Sequence, residues 1–551
     1  MIGENVELVT LLFIAVIGLS ALARRLLIPY PILLVVGGLL LALVPGLPSV
    51  RLDPDMVFFI FLPPILWAAA YFTSFRDFSA NARPIALLAL GLVLATTAAV
   101  AVIAHAVVPG LGWAGAAALG AIVSPPDAVA AVAILRRLKI PRRVVVVLEG
   151  ESLVNDATAL VLYRTAVGAM VTGSFSLGEA AKDFVIAAVG GVAIGLAVTA
   201  LAGLALRWAR DSLTEIAITL LAPYIAWSLA ERAHTSPVLA CVAGGLLLRR
   251  FVSSSVPPTT RLQARAVWDL LVFALNGVIF ILIGLQLRTL AQSVRPGELG
   301  SLVWQGLLVS LAAIVTRLVW VPIATWLPRQ IPSVRARDPM PPWQAVAVIG
   351  WAAMRGIVTL AAALALPLAT ADGRPLPLRE QIILLAFIVI LVTLVLQGLS
   401  LGPLVRWLRI PDDLTLEREE IQARERAVGA ALDRLERLER KATAADEQLA
   451  DLRQHYEERA RRIAERQAGV PRSSSLAEAA FKRARHETLN AERRTLTELR
   501  DDGAISDEVF LVLEQELDIE AATHGLADLR EGLGTATADD GVRGRGPYGD
   551  S

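Results

Sequence analysis

The sequence predicts an all-α, polytopic membrane protein of about 13 transmembrane helices followed by a soluble helical tail. Three observations carry this. Of 551 residues, 55% are hydrophobic, and mean hydropathy is +0.59. Up to about residue 408, apolar runs near 20 residues long alternate with short charged or Pro/Gly-rich breaks; such runs can cross a hydrocarbon core about 30 Å thick. Only 19% of residues are charged, and beyond residue 408 the chain becomes Glu/Arg-rich. The divisions are a transmembrane domain (1–408), a helical, partly coiled-coil tail (409–532) and a disordered end (533–551). The net charge of +1 averages two unlike halves and has no bearing on function.

The spans fall at roughly 6–23, 30–47, 55–72, 84–108, 112–135, 144–171, 180–206, 213–231, 237–251, 266–290, 300–327, 342–369 and 378–407. The first is not a signal peptide. It begins with Glu4 and Glu7, and Arg24 and Arg25 follow the apolar run, whereas a signal peptide starts basic. An odd count puts the termini on opposite sides. The loops "FRDFSANAR", "RRLKIPRR", "RWAR", "RRFVSSSVPPTTRLQAR" and "RQIPSVRAR" alternate with nearly uncharged ones such as "VPGLGWAG". Roughly 18 Lys/Arg lie on one side and about 7 on the other, so the positive-inside rule makes the N-terminus external and the tail cytoplasmic. Cys241 is the sole cysteine, which excludes an intrachain disulfide or a cysteine metal cluster, and the five histidines are scattered.

Three of these spans contain groups that a lipid-embedded helix should not carry. "LEGESLVNDATALVLY" (148–163) holds Glu149, Glu151, Asn155 and Asp156. An ionisable residue at membrane depth costs at least ~2.5 kcal/mol and normally faces a cavity, a partner or a pathway. Ser152 and Asp156, four apart, share one helix face; Glu151 and Asn155 share the adjoining one. Glu149 lies nearest the basic loop, where headgroups and water can reach it. Asp156 lies about 20 Å of helix beyond Arg143, well into the membrane.

"GAIVSPPDAVAAVAIL" holds Ser124, Pro125, Pro126 and Asp127. Two prolines supply no N–H, so the carbonyls of Ala121 and Ile122 lose their helical partners. Freed carbonyls in a membrane line a cavity or are buried in protein. Asp127 opens the helix after the break, where the dipole favours a carboxylate. In "VIGWAAMRGIVTLAAALALP" (348–367), Arg355 is a permanent cation in an apolar span and needs an anion; Glu151 is the first candidate. Arg317, nearer a membrane surface, fits snorkelling or a functional role equally. Asn276 fits interhelical hydrogen bonding.

These residues resemble the monovalent cation:proton antiporters, which include NhaP-type bacterial exchangers and animal sodium/proton exchangers. "EGESLVNDATALVLY" is similar to their Glu-Ser-x-x-Asn-Asp signature. "VFFIFLPPILWAAAY" (57–71) resembles a Pro-Pro segment, "SPPDAVAA" a Ser-Pro-Thr-Asp break, and "WAAMRGIVTLAAALALP" a Trp-x-Gly-x-Arg-Gly span. All four occur in the family's order along the chain, and the resemblance covers essentially residues 5–408. The resemblance implies an inverted-repeat antiporter fold with two broken crossing helices, a homodimer, and no enzymatic activity or cofactor. The cargo would be Na⁺, with Li⁺ or K⁺ as alternatives, exchanged for H⁺ across the plasma membrane, here a bacterial inner membrane, in pH and sodium homeostasis. The partners would be these ions and the lipid bilayer, with no nucleic acid.

By position, the resemblance makes Asp156 the carboxylate that alternately holds a proton and a cation. Asp127, Ser152 and the Pro126 carbonyl would line the site, the two aspartates being the cation's charged ligands. Asn155 would tie the broken helices together, and Glu151 and Arg355 would form a buried supporting pair. Pro126 replaces the usual threonine and Ala353 the usual glycine, which leaves ion selectivity open. Competing readings are a K⁺/H⁺ antiporter of the same fold, a cation channel, and an intramembrane aspartyl protease. The last needs a Gly-x-Gly-Asp context, but Asp156 follows Asn155.

In the tail, Ile421, Val428, Leu435, Ala442, Leu449, Tyr456 and Ile463 recur every seven residues; Arg424 and Arg459 break the companion row. This predicts a partial coiled coil or a helix that docks on itself. "AGVPRSSS" (468–475) reads as a linker before further helices. Regulation, pH sensing, dimer support and a merely solvated appendage all fit.

Overall fold

The computed structural model describes residues 2–26, 28–44, 53–138, 140–292, 297–410, 415–440, 447–467 and, with short breaks, 475–519. Two compact units are present, Met1–Asp413 and Leu414–Ser551.

In the first unit every stretch predicted as a span carries a helix or two half-helices. They begin with α1 (Ile2–Leu26), α2 (Tyr30–Ala42) and α3 (Pro54–Phe72). Two short helices, α4 (Phe75–Ala80) and α5 (Ala82–Ala86), lead through a π-helical turn (Leu87–Leu92) into α6 (Val93–Val107). The fifth stretch is split into α7 (Trp113–Val123) and α8 (Ala128–Arg137). Then come α9 (Arg142–Thr172), α10 (Leu177–Trp208), α11 (Ser212–Arg232), α12 (Pro237–Ser255), α13 (Pro258–Gln292) and α14 (Leu299–Trp326). After α15 (Pro332–Arg337), the twelfth stretch is again split, into α16 (Trp343–Trp351) and α17 (Ile357–Leu364). The last comprises α18 (Arg379–Val392), a π-helical turn (Thr393–Gln397) and α19 (Gly398–Leu408). Among the described residues, 8 helices or helix pairs are long and apolar enough to cross a membrane. The chain is a multi-pass membrane protein.

The helices sort into two bundles. One comprises α1–α3 and α10–α13; the other comprises α5–α9, α14 and α16–α19, with α8, α9, α17 and α18 also touching the first. Small residues let backbones approach closely, which drives helix association in lipid. Between α2 and α13, a Cβ on Gly38 would stand 2.2 Å from the Ile281 carbonyl oxygen, and one on Gly284 would stand 2.2 Å from that of Val35. Larger residues there would force the first bundle apart.

At one end of the second bundle, charged loops are knotted together. Asp338 accepts from Arg83 Nη2 (2.8 Å) and Arg329 Nη2 (2.7 Å) and also pairs with Arg143, while Arg142 pairs with Asp77. Burial pushes the Asp338 carboxyl up, but hydrogen bonds from Arg143 and Arg329 outweigh it and hold the group below its ordinary value. A depressed carboxylate contributes stability above its unfolded pKa and loses it as pH falls through the folded one. The knot therefore weakens only in acid.

In the second unit, α20 (Thr415–Glu439) and α21 (Glu447–Gln467) lie against each other, and α22 (Ser475–Asp501) follows. Of the heptad row, Val428, Leu435 and Ile463 are buried, while Arg424 is exposed and paired with Glu420. These buried members lie on α20 and α21, the two helices in contact. Ala442, most of the 468–475 segment and the 533–551 end lie outside the described residues.

Candidate functional site

The site grows from the two split spans. At the first break, Pro125 and Pro126 cannot donate to preceding carbonyls, so the helix stops at Val123. Asp127 caps the new helix, accepting from Val129 N at 2.8 Å. Of the two carbonyls expected to be freed, Ala121's is covered by Ser124 Oγ (3.0 Å). The second break, Ala352–Gly356, contains no proline; the chain leaves helical geometry at Ala352 and re-enters after Gly356.

The two breaks touch. Asp127 N donates to the Met354 carbonyl at 2.6 Å, and Arg355 Nε donates to that of Val123 at 3.0 Å. Gly356 lies directly against the Asp127 carboxylate: a Cβ there would stand 2.0 Å from Asp127 Oδ2. The π-helical turn of the last span adds Thr393, whose hydroxyl accepts from Arg355 N (3.2 Å).

Helix α9 lies alongside the first break. Asn155 Nδ2 donates to the Pro126 carbonyl (3.0 Å), and Ser152 Oγ accepts from Ala128 N (3.3 Å). Asn155 thus ties α9 to one broken helix; the two broken helices are joined to each other by their own backbones and Arg355. Asn155 Oδ1 is buried without a donor among the described residues. Asp156, one turn beyond Ser152, is 6% exposed and receives no hydrogen bond from the described residues. Asn155, its chain neighbour, holds Pro126, and Ser152, one turn away, holds Ala128, so Asp127 lies between the two anchor points. Asp127, Ser152, Asn155, Asp156 and the Pro126 carbonyl are therefore gathered in one place.

One sequence-based pairing is corrected. Glu151 does not pair with Arg355: its carboxylate takes a two-pronged ion pair from Arg317, with Nη2 to Oε2 at 2.8 Å and Nη1 to Oε1. Both side chains are 1% exposed. Arg317 Nε also reaches the Ile349 carbonyl (3.1 Å), just before the second break. Arg355 instead spends its guanidinium on the carbonyls of Val123 and Ala353. Arg317 is thus buried and does not snorkel. Depth gave the signal. Glu151 lies nine residues inside the start of α9 and Arg317 nine residues inside the end of α14. Both are about 13 Å along their helices from the same charged loops. Glu149 is peripheral, paired with the exposed Arg136 at 2.6 Å.

This arrangement combines two neighbouring carboxylates, a hydroxyl and irregular backbone, walled in by helices. Broken helices at mid-membrane are a recurrent means of holding ions in secondary transporters. Comparison with known proteins agrees. The transmembrane sodium/hydrogen exchanger model matches residues 9–407. An uncharacterized Na(+)/H(+) exchanger of Mycobacterium tuberculosis is 37% identical over 532 residues, covering 94% of this chain and 97% of the relative. The sodium, potassium, lithium and rubidium/H(+) antiporter of Bacillus subtilis is 31% identical over 409 residues, covering 72% of this chain and 61% of the relative. The solved sodium proton antiporter MjNhaP1 of Methanocaldococcus jannaschii shares the fold, with a TM-score of 0.56, 19% identity, and coverage of 74% of this chain and 99% of that one. The chain belongs to the sodium/hydrogen exchanger family.

Proposed function

We propose that this protein exchanges Na⁺ for H⁺ across a bacterial plasma membrane, as a homodimer, with Asp156 carrying either ion in turn. The observation that carries the reading is a buried aspartate that receives no hydrogen bond from the described residues, near a second aspartate where two broken helices meet. A carboxylate isolated from water favours its protonated form, and a bound cation favours its charged form. The two ions then compete for one group. Asp127, Ser152 and the Pro126 carbonyl complete the cation's shell; that carbonyl has two lone pairs, and Asn155 occupies one. Glu151, Asn155 and Arg355 hold the scaffold. The charged empty site crosses the membrane poorly, which couples the two fluxes. The 1–408 segment carries this activity and the 409–532 tail modulates it.

Proteoliposomes loaded with a pH-sensitive dye test the reading. Addition of Na⁺ should move protons outward, dissipating an imposed pH gradient. Li⁺, K⁺ and Rb⁺ belong in the same series, because the B. subtilis relative is named for all four ions. No proton movement with any of them would overturn the proposal.

One carboxylate trades one proton for one monovalent ion, so exchange should be electroneutral. Moving a net charge across 100 mV is worth ~2.3 kcal/mol. Transport should therefore proceed at the same rate with and without a valinomycin–K⁺ clamp. A solid-supported-membrane current that scales with turnover would reveal a second proton, with Asp127 its source.

Gly356→Ala tests the contact between the breaks. The added methyl would meet the Asp127 carboxylate, and overpacking typically costs ~1–3 kcal/mol. A rise of about tenfold in apparent KM for the cation is expected. An unchanged KM would mean the Asp127 carboxylate is not a ligand in its present position.

A further inference from the structure

The first bundle contains a cavity of about 230 Å³ that the exchange mechanism does not use. It lies among α3, α11, α12 and α13, at the end where Arg249, Arg261 and Arg265 cluster. Glu215 lines it. This residue sits in the first turn of α11, which Asp211 caps by accepting from Thr214 N at 2.8 Å. The side chain is only 5% exposed, and Oε2 has no hydrogen-bond donor among the described residues. Thr219, one turn on, accepts from Trp268 Nε1 (3.2 Å) and donates to the Ile216 carbonyl (2.7 Å), so its one proton is not available to Glu215.

Two of the rim arginines are turned to other partners. Arg249 Nη1 donates to the Phe72 carbonyl (3.0 Å). The Arg265 guanidinium lies 5.7 Å from the Phe72 ring centroid and 3.7 Å from Asp269. The cavity thus has an acidic floor whose Oε2 lacks a donor among the described residues, and an exposed cationic rim. An orphaned buried acceptor forfeits its hydration without return. The volume far exceeds one water's share of about 30 Å³. A simple cation suits only the floor and a simple anion only the rim, whereas a molecule with an ammonium and a phosphate suits both.

The surroundings indicate where such a molecule would come from. Trp67, Tyr71 and Trp268 line the walls, the two tryptophans buried in the bundle, while the arginine rim is exposed. Leu213, Leu262 and Leu270, on the same helices, are more than two-thirds exposed, as lipid-facing residues are. We propose that this cavity binds the headgroup of a primary-amine phospholipid, with its ammonium on Glu215 and its phosphate at the Arg249/Arg265 rim. Three N–H donors meet the orphaned oxygen, and the acyl chains lie along the leucine-covered outer face.

The test is binding by delipidated full-length protein in detergent, read by native mass spectrometry and melting temperature. The ligands are phosphatidylethanolamine, its N-methylated series through phosphatidylcholine, and phosphatidylglycerol. The primary amine should bind about tenfold more tightly than the trimethylated analogue, which cannot donate. Glu215→Gln should bring the two to equal affinity without weakening phosphatidylcholine, which a merely structural role would not do. Arg249→Gln should weaken all of them. Equal binding across the methylation series in the wild-type protein would overturn the proposal, even if the variants fail to fold. So would retention of the preference by Glu215→Gln, or equal stabilisation by soluble phosphoethanolamine.

Discussion

Replacing Asp156 by asparagine is expected to leave a folded protein in the membrane with no cation/proton exchange above background. The side chain receives no hydrogen bond from the described residues, so the amide forfeits no native partner. It also removes a buried ionisable group, whose charged form is costly to hold out of water. Stability should therefore stay level or rise slightly, as a melting curve in detergent would show. Transport should vanish, because an amide can neither release a proton nor balance a cation's charge. The neighbouring aspartate should behave differently. Asp127 caps α8 through Val129 N, and asparagine caps about as well as aspartate. Asp127→Asn should keep the fold and part of the transport while weakening cation affinity. Dye-loaded proteoliposomes with matched protein content compare the variants. Wild-type exchange by Asp156→Asn would remove this residue from the mechanism.

Features that violate the rules of a lipid-facing helix were legible in the sequence. Pro125-Pro126 removes two donors and so favours a break, but the pair alone does not force one, since α3 runs unbroken through Pro63-Pro64; at Pro125-Pro126 the backbone of the second break takes the Asp127 N–H instead. Asp127, Glu151, Asn155, Asp156 and Arg355 are conspicuous because polar groups at membrane depth are costly. The split at 352–356 was less legible. It contains no proline, and its geometry comes from partners supplied by other spans, among them Thr393 and the Val123 carbonyl. The π-helical turn at Thr393–Gln397 carries no local signature and depends on its tertiary surroundings. Partnerships were the hardest part, since sequence order says nothing about which helices are neighbours. Arg355 was the obvious partner for Glu151 by motif, but Arg317 holds the carboxylate because the two lie at equal depth on α9 and α14.

The revised pairing has a thermodynamic consequence that the motif-based pairing lacks. Glu151 and Arg317 are each 1% exposed and meet through two hydrogen bonds. Removing one partner strands a buried charge, which typically costs ~3–5 kcal/mol. Glu151→Gln and Arg317→Met should each destabilise by that order, measured by unfolding in mixed detergent–SDS micelles. Replacing both with apolar residues, Glu151→Leu with Arg317→Met, should cost less than either single change, because no charge is left unpaired. Arg355→Met should also destabilise, by freeing the Val123 and Ala353 carbonyls. Combined with Glu151→Gln, however, its loss should be closer to additive than that of the Glu151–Arg317 pair, since Glu151 reaches Arg355 only through space and not through a direct bond. The reverse pattern, strong coupling to Arg355 and additivity with Arg317, would restore the motif-based pair. Transport should follow the same division. Arg317 also binds the Ile349 carbonyl, so it joins α9, which carries Asp156, to the helix leading into the second break. The apolar double variant can regain stability by repacking, but it cannot replace that bond to the backbone. It should therefore melt near the wild type and still exchange ions more slowly.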